Sequence, residues 1–486
     1  MLSPDLSRDR MWLQNLLWPD RPRENASLSL RQELRNLRKT LSDTFIITEA
    51  SRLRLNPACI ANDPFDESDA GQELLEGVAP PGALGQWVKD VRENWRAPNI
   101  SGGTPGFVPK VAFSRTNESN SDRQSGLVVS DLIAKGLKDF GRVETVDDTS
   151  QADDDRFLKF SISQLHSTSG TSLRLALIEQ PQDRLRWSAN WHQLLSDLGA
   201  SGDTGEETRT KFFQLAYRAQ EAAEDALVDL VGANHKVSAL VLAFQALRDV
   251  FSMDPVRVAE AEQMLDLAYE MEPGAALLAL KGLLRTNQIY ERTTTDLDAA
   301  KAEALDCVRR ALALEPENGL VRALCSNTVV ALAGDTRTGG AYAREAIDLN
   351  PSNPLAWSTL ANANIAEGRL QEAADAAARA LEISRFSKNR HWWEMNSCVA
   401  AVARGDFAVA LEHARIAHFL APAFKPPLRF MVLLSYQAND HRAFEEAKHK
   451  LMQLEPDFDE RHFSDPEYPT NSLRAAGLTK MKKLWI

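Results

Sequence analysis

Four cysteines in 486 residues, Cys59, Cys307, Cys325 and Cys398, are too few and too scattered to staple a fold. None forms a CxxC pair, so they read as reduced, mostly buried thiols rather than disulfides or metal ligands. No run of about 18 apolar residues occurs, which excludes a transmembrane helix. The opening MLSPDLSRDR lacks the apolar core of a signal peptide, so the expected compartment is the cytoplasm. Absent too are the phosphate cradles GxGxxG and GxxxxGK with Ser or Thr, the GxSxG elbow and the HExxH helix. These absences point to a chain with no catalysis, no cofactor and no metal.

A length of 486 residues is too great for one core and implies about three domains. The hydrophobic fraction of 44% is that of a globular chain. A net charge of −12 argues against general coating of nucleic acid. Residues 1–60 nevertheless hold ten Lys and Arg against seven Asp and Glu, +3 there and −15 elsewhere. A modest positive patch on an acidic body confines phosphate attraction to one module.

Residues 11–56 read as a helix, a Pro-marked turn, a second, basic helix and a short hairpin. In the second helix Ala26, Leu30, Leu34, Leu37 and Leu41 recur on one side. Asn25, Leu28, Gln32, Arg35, Asn36 and Lys39 fall on the other, with Arg31 and Arg38 at the borders. Such a face suits a DNA major groove, because amides bond adenine edges while Arg and Lys hold phosphate or guanine. Gln32 and Asn36 are the candidates for base edges, and Arg31, Arg35, Arg38 and Lys39 for phosphate. In the hairpin, Phe45, Ile46 and Ile47 oppose Leu53 and Leu55, and Arg52 would reach an adjacent backbone or minor groove. Leu16 to Arg21, Ala26, Ser29 to Gln32, Leu34, Leu37, Arg38 and Leu41 together resemble the winged helix of bacterial transcriptional activators and antibiotic-regulatory proteins. That resemblance implies a DNA-binding domain over 6–60. It is partial, since nothing before Leu6 supplies the first helix and N-terminal strands such domains carry. The competing reading is an ordinary solvated amphipathic helix.

Residues 61–106 form a connector with an acidic start, a Pro80-Pro81 break and a Gly/Pro/Ser tail. Within it Gln86 to Trp95 is expected to be helical, with Trp87, Val91 and Trp95 on one face. Gly71, Leu74, Leu75, Gly77, Trp87, Val88 and Arg92 resemble the segment after the winged helix in the same families. Residues 107–235 change rhythm. Strands are expected at Val108 to Phe113, Val143 to Val146, Phe157 to Leu165, Leu173 to Ile178 and Leu185 to Trp191. Helices are expected at Gly126 to Phe140 and Thr208 to Val231, so the order β-α-β-β-β-β-α gives a mixed sheet. Asp131-Leu132-Ile133, Leu175 to Ile178 and Leu185 to Ser188 resemble the TolB amino-terminal-like domain, which often sits between a DNA-binding or cyclase domain and tetratricopeptide repeats. The acidic cluster Asp147, Asp148 and Asp153 to Asp155 lacks calcium-loop spacing and reads as a solvated loop. His166 and His192 stand outside any catalytic motif and read as structural.

From 236 to 486 the chain repeats itself. Pro273, Pro316, Pro351, Pro422 and Pro456 each follow a helical stretch, at gaps of 43, 35, 71 and 34 residues. A period near 34 is that of tetratricopeptide repeats, with 71 spanning two and 43 carrying an insertion near Asn287 to Thr295. Ala268, Ala311, Ala346 and Ala417 lie five residues before the Pro, and Leu451 takes that place in the last unit. Trp392 and Trp393 in Asn389 to Met395 are expected either to form an aromatic ligand pocket or, more often for such residues, to pack on a neighbouring repeat. His413 and His418 do not share a helix face, which argues against a metal site. Ser472 to Ile486 reads as a capping helix through Leu473, Met481 and Leu484.

The fold class expected is multidomain: a partial winged helix, an α/β mixed-sheet domain, then an all-α tetratricopeptide-repeat solenoid. The function expected is a cytoplasmic transcriptional regulator that binds DNA site-specifically. Its repeat superhelix would take a protein partner, sense a signal or pair protomers into a homo-oligomer, away from any membrane. The alternative is a tetratricopeptide scaffold whose degenerate winged helix has lost DNA. An accessory role to a nucleotide cyclase rests only on the domain company of the middle segment.

Overall fold

The computed structural model describes residues 7–18, 21–40, 46–48, 52–55, 109–116, 122–141, 143–147, 157–167, 170–194, 204–232 and 239–479. The helix expected at Gln86 to Trp95, the acidic run 148–155 and Cys59 lie outside these. The chain divides into two units, Met1–Gly106 and Phe107–Ile486.

In the first unit, strand β1 (Ser7–Asp9) leads into helix α1 (Arg10–Leu17), followed by α2 (Arg23–Thr40), β2 (Ile46–Thr48) and β3 (Arg52–Leu55). The sheet order is β1-β3-β2, antiparallel throughout. Strand β1 had no signal in the sequence. It exists because β3 offers a second edge, pairing Ser7 to Asp9 with Arg54 to Arg52. Leu30, Leu34, Ile46 and Leu53 form a small core with Leu13 and Trp18 against it. Leu37, expected on the buried side, is 43% exposed, because on α2 this core ends at Leu34.

The second unit opens with a five-stranded sheet of β4 (Lys110–Thr116), β5 (Glu144–Asp147), β6 (Phe157–Ser167), β7 (Gly170–Gln180) and β8 (Arg184–Leu194), in the order β5-β4-β6-β7-β8. Helix α3 (Asp122–Phe140) crosses between the parallel β4 and β5, and the last three strands are an antiparallel meander. Alternation explains the buried side: Phe160 faces Leu177 and Ile162 faces Leu175, all at most 1% exposed. Leu185 breaks its expected pattern at 57% exposure, because a bulge at Leu177/Ile178 shifts the end of the edge strand β8. Helix α4 (Thr204–Gly232) lays Leu215, Ala216, Ala219, Ala223 and Leu227 into the interior. Gly136 lets α3 approach it, since a Cβ there would meet the side chain of Gln220 at 1.9 Å.

Twelve helices in six pairs follow: α5 (Ala239–Ser252) with α6 (Pro255–Met271), α7 (Ala275–Tyr290) with α8 (Leu297–Leu314), and α9 (Gly319–Thr328) with α10 (Thr336–Leu349). The other three are α11 (Pro354–Ala366) with α12 (Leu370–Ile383), α13 (Arg390–Arg404) with α14 (Phe407–Leu420), and α15 (Lys425–Gln437) with α16 (His441–Leu454). This is a solenoid of paired helices. Each recurring Pro forces an extended residue before it, with ψ between 75° and 97° at Glu272, Glu315, Asn350, Ala421 and Glu455. The N–H of that residue closes the helix on the carbonyl of Ala268, Ala311, Ala346, Ala417 or Leu451. Inside every pair the turn passes through the left-handed region, at Met253, Arg292, Gly334, Gly368, Gly405 and Asn439. The insertion in the second pair is the turn Glu291–Asp296 plus a second helix of 18 residues, against 14 in α10.

The end differs from expectation. Helix α17 (Asn471–Ala475) is only five residues long, and Leu473 is fully buried. Much of the cover comes from the aromatic cluster of Phe458, Phe463 and Tyr468 before it, which a search for helical periodicity passes over. Met481 and Leu484 lie outside the described residues.

Candidate functional site

The residues singled out for DNA sit in the first unit, five of them on one exposed surface. Arg31, Gln32, Arg35, Asn36 and Lys39 are all exposed on α2, while Ala26, Leu30 and Leu34 are buried behind them. Gln32 Nε2 donates to Asn36 Oδ1 at 3.4 Å, one turn along the helix. Arg38 differs. Its Nη2 donates to the Ile46 carbonyl at 3.1 Å and to Thr48 Oγ1 at 2.6 Å, so its guanidinium ties α2 to β2. Arg52 begins β3, in register with Asp9. The start of α2 is braced by Arg21, which donates to Ser29 Oγ at 2.7 Å and lies 6.0 Å from the Trp18 ring.

The NRHWWEM segment of the solenoid is packed rather than open. Trp393 is 1% exposed, and Trp392 stacks on Phe424 at 6.2 Å and meets Phe251 edge-on at 5.1 Å. His391 Nε2 lies 2.8 Å from the Phe251 carbonyl, and burial holds its imidazole below the usual range. The fifth pair therefore touches the first, 140 residues away. Pair six likewise meets pair two: Lys425 Nζ donates to the Glu291 carbonyl at 2.5 Å and Arg429 Nη1 to the Tyr290 carbonyl at 2.6 Å. Arg429 is fully buried, paired with Glu455, and Tyr468 donates to the same carboxylate at 2.9 Å. Burial pushes the Glu291 carboxyl up to about 7. The chain's own side chains thus tie pair five to pair one and pair six to pair two. Of this lock, the sequence showed only one Arg within the apolar run of α15.

His413 Nδ1 lies 2.6 Å from Glu394 Oε2, and Arg390 Nη2 2.6 Å from Oε1. Hydrogen bonds from both hold Glu394 below its ordinary value despite burial. His418 does not join them, and burial lowers its pKa. In the sheet, Ser172 Oγ and His192 Nδ1 lie 2.5 Å apart on an exposed cross-strand pair. Cys307, Cys325 and Cys398 are free and buried, and burial raises all three thiols. Among the described residues no three His, Cys, Asp or Glu side chains converge as a metal ligand set would. No helix among them is long and apolar enough to cross a membrane.

No protein-family model matches this chain, and no curated protein does. Solved structures similar in part include the human IFIT1 dimer with m7Gppp-AAAA, at 16% identity over 55% of this chain and 64% of that one, TM-score 0.37. The APC/C hetero-tetramer Cut9-Hcn1 is 12% identical over 57% of this chain and 50% of that one, TM-score 0.35. A monomeric IFIT1 mutant with Gppp-AAAA is 15% identical over 58% of this chain and 71% of that one, TM-score 0.39. The chain thus spans less than two thirds of the first two. The solenoid assignment rests on this chain's own helix pairs and turns.

Proposed function

We propose that the protein is a non-catalytic helical-repeat scaffold that holds a protein partner on the outer surface of its last repeats. The observation behind this reading is the apolar exposure on α14. Val409 and Leu420, eleven residues apart and so on one helix face, are 49% and 44% exposed, and Phe419 beside them is 82% exposed. Side chains of this kind anchor interfaces, where aromatic residues carry much of the affinity. The test is in-cell cross-linking of wild type beside Phe419→Asp. A defined partner band lost in the variant supports the scaffold, and identical cross-linked products in both reject this surface.

A second reading, DNA docking through the first unit, is favoured by the sheet order around α2. The β2–β3 hairpin, extended by β1, packs Ile46 and Leu53 on a helix whose opposite face presents Arg31, Arg35 and Lys39, with Gln32 and Asn36 between them. That is the arrangement a winged helix offers to a groove, consistent with the resemblance of 6–60, and the sheet of 107–235 would then be its TolB-like connector to the repeats. In this reading Arg38 positions the hairpin instead of holding phosphate. A salt series of binding to duplex DNA tests it: Arg35→Ala and Lys39→Ala should each lower the salt slope by about 1. Equal, weak binding by all three chains would end the DNA reading.

A further inference from the structure

Helix α4 has two faces of opposite character. Ala216, Ala219, Ala223 and Leu227 are fully buried on one. On the other, Tyr217, Glu221, Glu224, Asp225 and Val228 follow helical spacing along the wall of a cavity. The opposite walls come from Asp139 of α3, from Phe244, Arg248 and Phe251 of α5, and from Lys388 and Trp393 at the start of the fifth pair. The sheet domain's helices and the solenoid therefore enclose it together.

Four carboxyl groups share this space with two cations, and both cations go to Asp225: Lys388 pairs with it and Arg248 lies 3.6 Å away. Glu221 accepts from Ser387 Oγ at 2.6 Å, Glu224 accepts from Gln220 Nε2 at 2.8 Å, and Asp139 faces the Leu320 N–H at 3.3 Å. The carboxyl groups thus outnumber the cations by two. Burial raises Glu224 to about 8 and Glu221 and Asp139 to about 7, aided by Asp225 near the first two and Glu315 near the third. Lys388 near the two glutamates and Lys135 near Asp139 oppose the rise.

Two features beyond the acids point to a ligand. Trp393, 1% exposed, lines the cavity, and its indole Nε1 has no hydrogen-bond acceptor, a costly omission for a buried donor. Tyr217, Phe244 and Phe251 complete an aromatic wall of the kind that attracts organic cations. A metal ion is a poor fit, because no three of these carboxylates converge on one point.

We propose that this cavity is an effector site for a small organic amine, whose ammonium is taken by the carboxyl groups of Glu221 and Glu224 and whose body lies on the aromatic wall. An acceptor atom on the amine satisfies the indole N–H. Binding joins α3 and α4 to the solenoid, so occupancy stiffens the junction between sheet and repeats. The ammonium also favours ionised carboxyls, so binding releases protons.

The experiment is isothermal titration of the full chain with 4-aminobutan-1-ol, whose hydroxyl can accept from the indole N–H, at pH 7, in two buffers of different ionisation heat and at matched ionic strength. Wild type should show saturable binding with net proton release. Glu224→Gln, which keeps an acceptor oxygen for the Gln220 amide and removes the ionisable group, should weaken binding about tenfold and release fewer protons. Glu412→Gln, an exposed carboxylate on α14, should change neither. Circular dichroism checks that each variant is folded. Absence of saturable heat overturns the proposal, and so does equal binding by wild type and Glu224→Gln, which would reveal only general attraction to an acidic chain.

Discussion

Helices α2 and α4 are both amphipathic with a charged face, yet the two faces meet different fates. On α2 the basic face is exposed, and the apolar face finds only a small core of Leu30, Leu34, Ile46 and Leu53. On α4 the apolar face is fully covered, and the acidic face is turned inward against the solenoid. A charged face is solvated only when no further layer arrives to cover it. Where a layer does arrive, the groups keep their hydrogen bonds and shift their proton affinities instead.

The largest expected effect tests whether the α4 face is packed. Phe244 stacks on Phe140 at 5.1 Å, joining α3 to α5. Phe244→Ala should cost about 3–5 kcal/mol in denaturant unfolding of the second unit. A loss below about 1 kcal/mol would mean that α3 and α4 do not rest on the repeats.

The next effect is on pH. Unfolded glutamates titrate near 4.5, whereas folded Glu224 titrates near 8 and Glu221 near 7. Between these values the folded state holds the extra protons, so stability falls as pH rises through the window. The thermal midpoint should be lower at pH 8.5 than at pH 6, and Glu224→Gln should reduce that difference without abolishing it, since Asp139 and Glu291 titrate in the same range. A difference unchanged in the variant would place Glu224 in water.

Smaller effects belong to α2. Arg38→Ala removes two hydrogen bonds to β2 and should cost about 1–2 kcal/mol, read by hydrogen exchange at Ile46 and Leu53. Protection equal to wild type would return Arg38 to the free basic face. Arg35→Ala should stay within about 0.5 kcal/mol of wild type in stability, as befits an exposed side chain. A larger loss would show that Arg35 braces the helix.

Much of the architecture was legible because its signals are local. The prolines after Met271, Leu314, Leu349, Leu420 and Leu454 end helices wherever they occur, and Gly368 and Gly405 mark turns that need a left-handed residue. Met253 and Arg292 occupy the same turn position without being glycine, so those pairs carried no mark. Strand β1 was invisible because three residues carry no periodicity of their own and are fixed only by the edge of β3. Of the proposed DNA-facing residues, helical spacing placed Gln32, Arg35, Asn36 and Lys39 on the exposed side and Arg31 at its border. It could not foresee Arg38 on the hairpin, which depends on where β2 returns. Nor could it show Trp392 against Phe251 and Phe424, groups distant in sequence.

The sequence by itself determined the helix pairs, the alternating strands and the two faces of α2, because propensity, periodicity and proline geometry act over a few residues. Only the tertiary structure decided that pairs five and six close on pairs one and two, and that the acidic face of α4 lines a cavity. Both depend on long-range packing, in which the free energy of a side chain is set by whichever distant segment covers it.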